Sequence, residues 1–348
     1  MVHVRSHWIL LLFLLGSKTA FSQAAGSSVS KVGTTSAAFL EIPVGARAIS
    51  LGGAFVATAK DVTSLYWNPA GSARLSQYGV VFSHTNWIAD MKFDYAAAVA
   101  PLGDFGTLGL SFTSLSMDAM SVRTVERPEG TGELFDAGSM AIGLHYARNL
   151  SDRFSIGFTA KYVSEHIWNM QSSAFAMDAG VLFTTHFLTG IRVGAIISNF
   201  GSDMKLSGRD TRTFYRIDPQ KFGSNDRIPH NIELDSWPLP LNFQLGLSGD
   251  FFDTGDHLLT VAVDALHPSD NHESLNVGLE YGFQHFLFVR GGYHSLFLQD
   301  SEGGLSLGAG LATNLFGSGA SVSFDYAFSD FGRLNQLHTL SVQLQFQP

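Results

Sequence analysis

The chain offers many polar side chains and very little spacing that could do chemistry. Its 13 histidines are scattered, with no H-E-x-x-H and no pair at the interval that places two ligands on one helix face. Cysteine is absent, which removes disulfides, thiolate metal sites, a thiol nucleophile and a lipid-modified cysteine. The Gly-rich piece Leu307-Gly308-Ala309-Gly310 sits in a strand-like run, where glycine serves close packing, not phosphate binding. No catalytic, cofactor-binding or metal-ligating set emerges, so the expectation is a protein without enzymatic activity, cofactor or metal. A surface enzyme would need a nucleophile and a base in the barrel mouth or loops. The charge balance, −9, gives no basic footprint for nucleic acid.

Two groups of charges remain. Asp94, Lys161, Asp178, Arg192, Asp264, Glu280, Arg290 and Asp325 fall inside alternating runs, mostly on the polar parity. If those runs cross a membrane, the charges belong in the lumen, because one in hydrocarbon costs roughly 2–4 kcal/mol at mid-depth. The second group lies in the long connection Gly201–Pro238, which mixes Arg209, Phe214, Tyr215, Arg216, Phe222 and Trp237. Aromatics among charges make either a partner-binding surface or a loop folded over a mouth.

The elements that must position these residues are strands. His338–Phe346 alternates strictly, with Leu340, Val342, Leu344 and Phe346 on one face and Thr339, Ser341, Gln343 and Gln345 on the other. Similar runs begin at Tyr78, giving about 14 candidate strands near the 9–11 residues that cross a bilayer at a tilt. The clearest apolar sets are Phe154/Ile156/Phe158/Ala160/Tyr162, Leu241/Phe243/Leu245/Leu247 and Val322/Phe324/Tyr326/Phe328. Only 15% of residues are charged, against roughly 25% in soluble domains, while Gly and Phe reach 36 and 29. That composition suits a barrel with half its side chains in lipid.

Brief connections alternate with longer ones. Pro101–Gly106, Asn149–Arg153 and Phe252–His257 are short, whereas Ser116–Asp136, His166–Ala174 and Gly201–Pro238 are the longer set. This is the asymmetry of a barrel with short periplasmic turns and long outer loops. Ahead of the strands, Arg5, the apolar run Trp8–Leu15 and Ala20-Phe21-Ser22 read as a secretory signal, too short to span a bilayer as a helix. The expected organisation is a signal peptide over 1–22, an N-terminal plug or hatch over 23–77 and an outer-membrane antiparallel β-barrel over 78–348.

The plug reading rests on the apolar, Gly-rich block from Ala37 to Gly71, which does not alternate and must be buried. Its marked positions are Gly45, Arg47, Gly52, Gly53, Asp61, Trp67, Asn68, Pro69 and Gly71. Pro fixes φ and Gly admits positive φ, so the end of this block can fold beneath the first strand.

The same block, Phe39-Leu40-Glu41-Ile42-Pro43-Val44-Gly45-Ala46-Arg47-Ala48 through Tyr66-Trp67-Asn68-Pro69-Ala70-Gly71, resembles the start of the PorV/PorQ family. Those are outer-membrane barrels of the type IX secretion system in Bacteroidetes and relatives. The Asn-Pro-Ala-Gly element also resembles the hatch of the FadL group of hydrophobic-compound transporters. The first resemblance implies a Gram-negative outer-membrane barrel with its loops facing the cell surface. Its implied partners are membrane lipid, secreted cargo proteins with C-terminal signal domains, the translocon and a sortase-type attachment complex. The second implies a channel for hydrophobic small molecules, against which the Gly, Ser, Thr, Gln and charged wall positions weigh mildly.

Overall fold

The computed structural model describes residues 31–185, 190–217, 220, 227–298, 301–315 and 319–347. The expected signal peptide, 1–22, lies outside them. Fourteen long strands form among the described residues. They are β1 (Tyr78–Asn86), β2 (Lys92–Pro101), β3 (Thr107–Ser116), β4 (Ala137–Asn149), β5 (Phe154–Ile167), β6 (Met170–Thr184) and β7 (Arg192–Gly201) in the first half. The second half holds β8 (Asn242–Asp253), β9 (His257–Pro268), β10 (Ser274–Phe283), β11 (Leu287–Leu296), β12 (Leu305–Leu315), β13 (Ala320–Asp330) and β14 (Gln336–Phe346). Each pairs antiparallel with its neighbours in sequence. The C-terminal strand then closes the ring on the first, from Tyr78 opposite Phe346 to Asn86 opposite His338.

Closure follows from the side-chain pattern. Phe82, Leu110, Leu144, Phe158, Leu245, Leu279, Phe324 and Leu340 stand exposed on the outer face, an apolar belt that water would not tolerate. Hydrocarbon accepts it only if no strand edge is left unpaired, and the β1–β14 pairing leaves none. This is a membrane-spanning barrel.

The connections at one end are 87–91, 117–136, 168–169, 202–241, 269–273, 297–304 and 331–335; those at the other are uniformly short. The stretch His166–Ala174, expected as a long loop, is instead a tight turn at Trp168 and Asn169. The alternation continues through it, so β5 and β6 stay paired to Ile167 opposite Met170. Within 202–241, Met204–Lys205 pairs with Ser236–Trp237, Arg212–Tyr215 with Ile228–Asn231, and Ser207–Gly208 with β6.

Residues 37–74 lie within the ring. Turns, the short helices α1 (Ala46–Ser50) and α2 (Ser64–Trp67), and the 3-10 turn Pro69–Arg74 make up this inner segment. Its Phe39, Leu40, Val44, Leu51, Phe55, Val62, Leu65 and Trp67 form the core with the inward Val81, Phe93, Tyr95 and Val163 of the wall. The wall makes room by presenting glycine where backbone meets backbone. A methyl group on Gly292 would lie 2.2 Å from the Leu51 carbonyl carbon, and one on Gly157 2.4 Å from that of Pro69. Gly291, one residue away, points outward and would meet only the Leu307 side chain at 3.6 Å. Gly292→Val is therefore expected to abolish the heat-modifiable folded band on electrophoresis, while Gly291→Val retains it. Equal behaviour of the two variants would remove the close seating of the inner segment as a folding requirement.

Candidate functional site

The inner segment is fixed by ionic and hydrogen-bonded contacts that start from its own sequence. Gly45, at φ 82, lets the chain turn into α1 and set Arg47 toward the wall. The Arg47 guanidinium reaches Asp61 at 2.9 Å and Glu280 of β10 at 2.7 Å. Arg290 of β11 also binds Glu280, at 2.6 Å, and Asp325 of β13 at 2.6 Å. Burial works against the charge on Arg47, but Glu280 and Asp61 outweigh it and hold the guanidinium above its usual range. Asp61 also accepts from the Thr63 amide at 2.9 Å, which starts the turn into α2.

Elsewhere the wall caps the segment's unpaired amides. Asp264 of β9 accepts from Phe55 and Val56 at 2.7 and 2.8 Å, and Ser341 of β14 from Ala46 at 2.8 Å. Asn68 donates to the carbonyls of Val56 and Val181, both at 3.0 Å, and accepts from Ala70, so the turn opened by Pro69 is tied to β6. Trp67 donates its indole N–H to Val44 at 2.9 Å. Gly52 and Gly53, both at positive φ, pass against Tyr293 and Asn276, and Gly71 packs on the Ala59 carbonyl.

Of the eight charges expected in the lumen, Lys161, Asp178, Arg192, Asp264, Glu280, Arg290 and Asp325 lie on the inward parity. Lys161 pairs with Asp178 at 2.8 Å and Arg192 with Asp250 at 2.8 Å. Asp94 is different. It lies on the outward parity of β2, opposite His84, and the two side chains meet at 2.7 Å. Its flanking residues, Phe93 and Tyr95, are turned inward because Trp87 and Tyr66 give them aromatic partners there. Both aromatics belong to the core.

Cavities lie around the inner segment among the described residues. On the long-loop side, one of about 210 Å³ is walled by Leu40, Pro43, Leu65, Tyr66 and Trp67, with Tyr95 across from them. A second, about 780 Å³, adjoins it and shares Glu41, Pro43, His272 and His294. A third, about 320 Å³, opens on the short-turn side around Arg47, Lys60, Glu280 and Arg290. Burial, with Arg47 and Arg192 nearby, holds the Lys60 ammonium below the usual lysine range. One polar group of the first cavity, His145, is held by its neighbours, 2.7 Å from both Ser111 and Thr159.

In the 202–241 connection, Phe214, Tyr215, Arg216 and Trp237 are exposed, Arg209 begins a 3-10 turn, and Phe222 lies outside the described residues. Met204 and Leu239, by contrast, are buried against the inner segment. The loop thus divides into a part folded over the mouth and a hairpin facing away. No nucleophile elbow was expected, yet Gly304-x-Ser306-x-Gly308 has the form of one. Here Ser306 lies in a regular strand and bonds the Ser329 hydroxyl at 3.1 Å, with none of the strand-to-helix strain that exposes such a serine.

A family model described as "Uncharacterised protein family (UPF0164)" matches residues 16–167. A UPF0164 protein of Treponema pallidum (strain Nichols) is 23% identical over 177 residues, which cover 48% of this chain. The match spans 44% of that relative's length. Among solved structures, the CymD monoaromatic hydrocarbon channel aligns with TM-score 0.54 at 13% identity, covering 88% of this chain and 98% of its own. The Ralstonia pickettii toluene transporter TbuX gives 0.53 at 11% identity, covering 87% and 98%. A Pseudomonas aeruginosa FadL homologue gives 0.51 at 9%, covering 88% and 99%. The fold is FadL-like. The first two are named as a channel and a transporter, and at such identities the likeness is one of fold.

Removing Arg47 would leave Asp61 without its cation and Glu280 with one in place of two. Breaking a buried pair from one side costs about 3–5 kcal/mol. Arg47→Ala is therefore expected to lower the unfolding free energy of the purified barrel by that order, seen as a lower guanidinium midpoint. An unchanged midpoint would show that the clamp does not hold the inner segment.

Proposed function

We propose that this chain is an outer-membrane barrel that binds small hydrophobic molecules at its long-loop end and admits them across the membrane. The carrying observation is the 210 Å³ cavity, whose apolar lining is shared between the inner segment, with Leu40, Leu65 and Trp67, and the wall, with Tyr95, Ile196 and Leu266. A dry cavity of about 150 Å³ holds benzene, so this one suits a single-ring molecule. The polar wall counted against a channel in the sequence; Leu40, Leu65, Tyr66 and Trp67 add apolar surface to it. Strand number, and long connections gathered at the end opposite both strand termini, support loops facing the cell surface. The inner segment acts as the plug between the long-loop cavities and the short-turn cavity, so passage requires that segment or the wall to rearrange. Ala141 lines the cavity and is fully buried. Cells expressing the protein should take up labelled toluene faster than cells without it, and Ala141→Trp should return uptake to background with the folded band retained. Equal uptake with and without the protein would sink the reading.

A second reading, the PorV/PorQ-like role in type IX secretion, draws support from the rim. Phe214 is 66% and Tyr215 53% exposed on a hairpin that the barrel does not need for closure. Large aromatics left in water fit a surface that a secreted cargo protein, the translocon or the attachment complex covers. Replacing 212–231 with a short Gly/Ser turn spares Met204 and Leu239, so the barrel should fold. Co-purification of protein partners from native outer membranes should then be lost; the same partners in unchanged amount would end this reading.

A further inference from the structure

Among the acids that anchor the inner segment to the wall or pair beside it, Asp61 and Glu280 share Arg47, Asp178 has Lys161, Asp250 has Arg192, and Asp325 has Arg290. Asp264 instead accepts two backbone amides, and Glu165 accepts the Ala37 amide and the Ser139 hydroxyl. Glu41 breaks this rule. It ends the turn Ala38–Glu41, lines both long-loop cavities, and makes no ion pair or side-chain hydrogen bond with the described residues.

Its surroundings sharpen the imbalance. Asp270 is buried, with one carboxylate oxygen accepting from Thr35 at 2.8 Å and the other without a partner. Burial and this neighbouring acid push the Glu41 carboxyl up to about 7, although its side chain is open to the cavity. Among the described residues no cation pairs with it in return. The charged pair in the smaller cavity, Lys161 with Asp178, is already balanced. Beside Glu41 stand Leu40, Pro43, Tyr66 and Trp67, whose rings offer an apolar wall and a π-face.

We propose that the long-loop cavity takes a small aromatic molecule bearing an ammonium group, with the ring against Leu40, Tyr66 and Trp67 and the ammonium at Glu41. This rests on the hydrophobic-molecule reading above and narrows its substrate class from a bare hydrocarbon to an amine. The ligand brings the cation that the site omits, and the charge-assisted hydrogen bond is stronger than any the ring alone could make.

The test is calorimetric titration of the full barrel in lipid nanodiscs, against empty discs, with benzylamine, toluene and benzoate as probes. Wild-type protein should bind benzylamine about tenfold tighter than toluene, with benzoate weakest. Glu41→Gln, checked for its folded band, should lose the benzylamine advantage and keep toluene binding. Equal affinity for benzylamine and toluene, preference for benzoate, or an amine preference that survives Glu41→Gln would each overturn the amine assignment while leaving the pocket. Binding of none of the three would overturn the hydrophobic-molecule reading and this inference with it. The comparison of probes on wild-type protein decides even if the variant fails to fold.

Discussion

The guanidinium of Arg47 is the contact on which the interior depends. It joins Asp61 of the inner segment to Glu280 of the wall, and Glu280 passes the connection to Arg290 and Asp325. Three wall strands, β10, β11 and β13, are thereby tied to one turn of a segment that has no strand pairing of its own. An ion pair held away from bulk water is a weak source of net stability, because desolvation offsets much of the attraction. Its value here is specificity: few other placements of the inner segment satisfy all five charges at once.

The membrane makes such a device necessary. Hydrocarbon on the outside reverses the usual arrangement, so each strand sends its apolar parity outward and its polar parity into the ring. A polar interior cannot collapse on itself as a core does. The inner segment solves this by carrying the apolar side chains inward and by meeting the wall through backbone, at glycines, and through wall acids and hydroxyls that accept its free amides. Asp264, Ser341 and Asn68 complete hydrogen bonds that an unstrung loop would leave open.

The same division of labour shapes the cavities. On the long-loop side, its Leu, Tyr and Trp side chains add apolar surface to a space that the wall lines with polar and apolar groups together. On the short-turn side the clamp itself, with Lys60, gives a charged chamber. The two sides of one short segment thus present different chemistry to the two ends of the barrel.

Much of this was legible in the sequence. Period-two alternation from Tyr78 onward determined the strands, their number and which face meets lipid, because a strand's parity is a local property. The Gly-rich block from Ala37 to Gly71 determined that something apolar and irregular had to be buried. Seven of the eight strand charges also followed from parity. Asp94 did not, since Phe93 and Tyr95 turn inward where Trp87 and Tyr66 receive them, and those contacts are not part of the alternation of one strand. Nor could the sequence reveal the two-residue turn at Trp168, the split of the 202–241 connection, or the isolation of Glu41. Whether a charge has a partner depends on which strands closure brings across the lumen, and only the tertiary structure decides that.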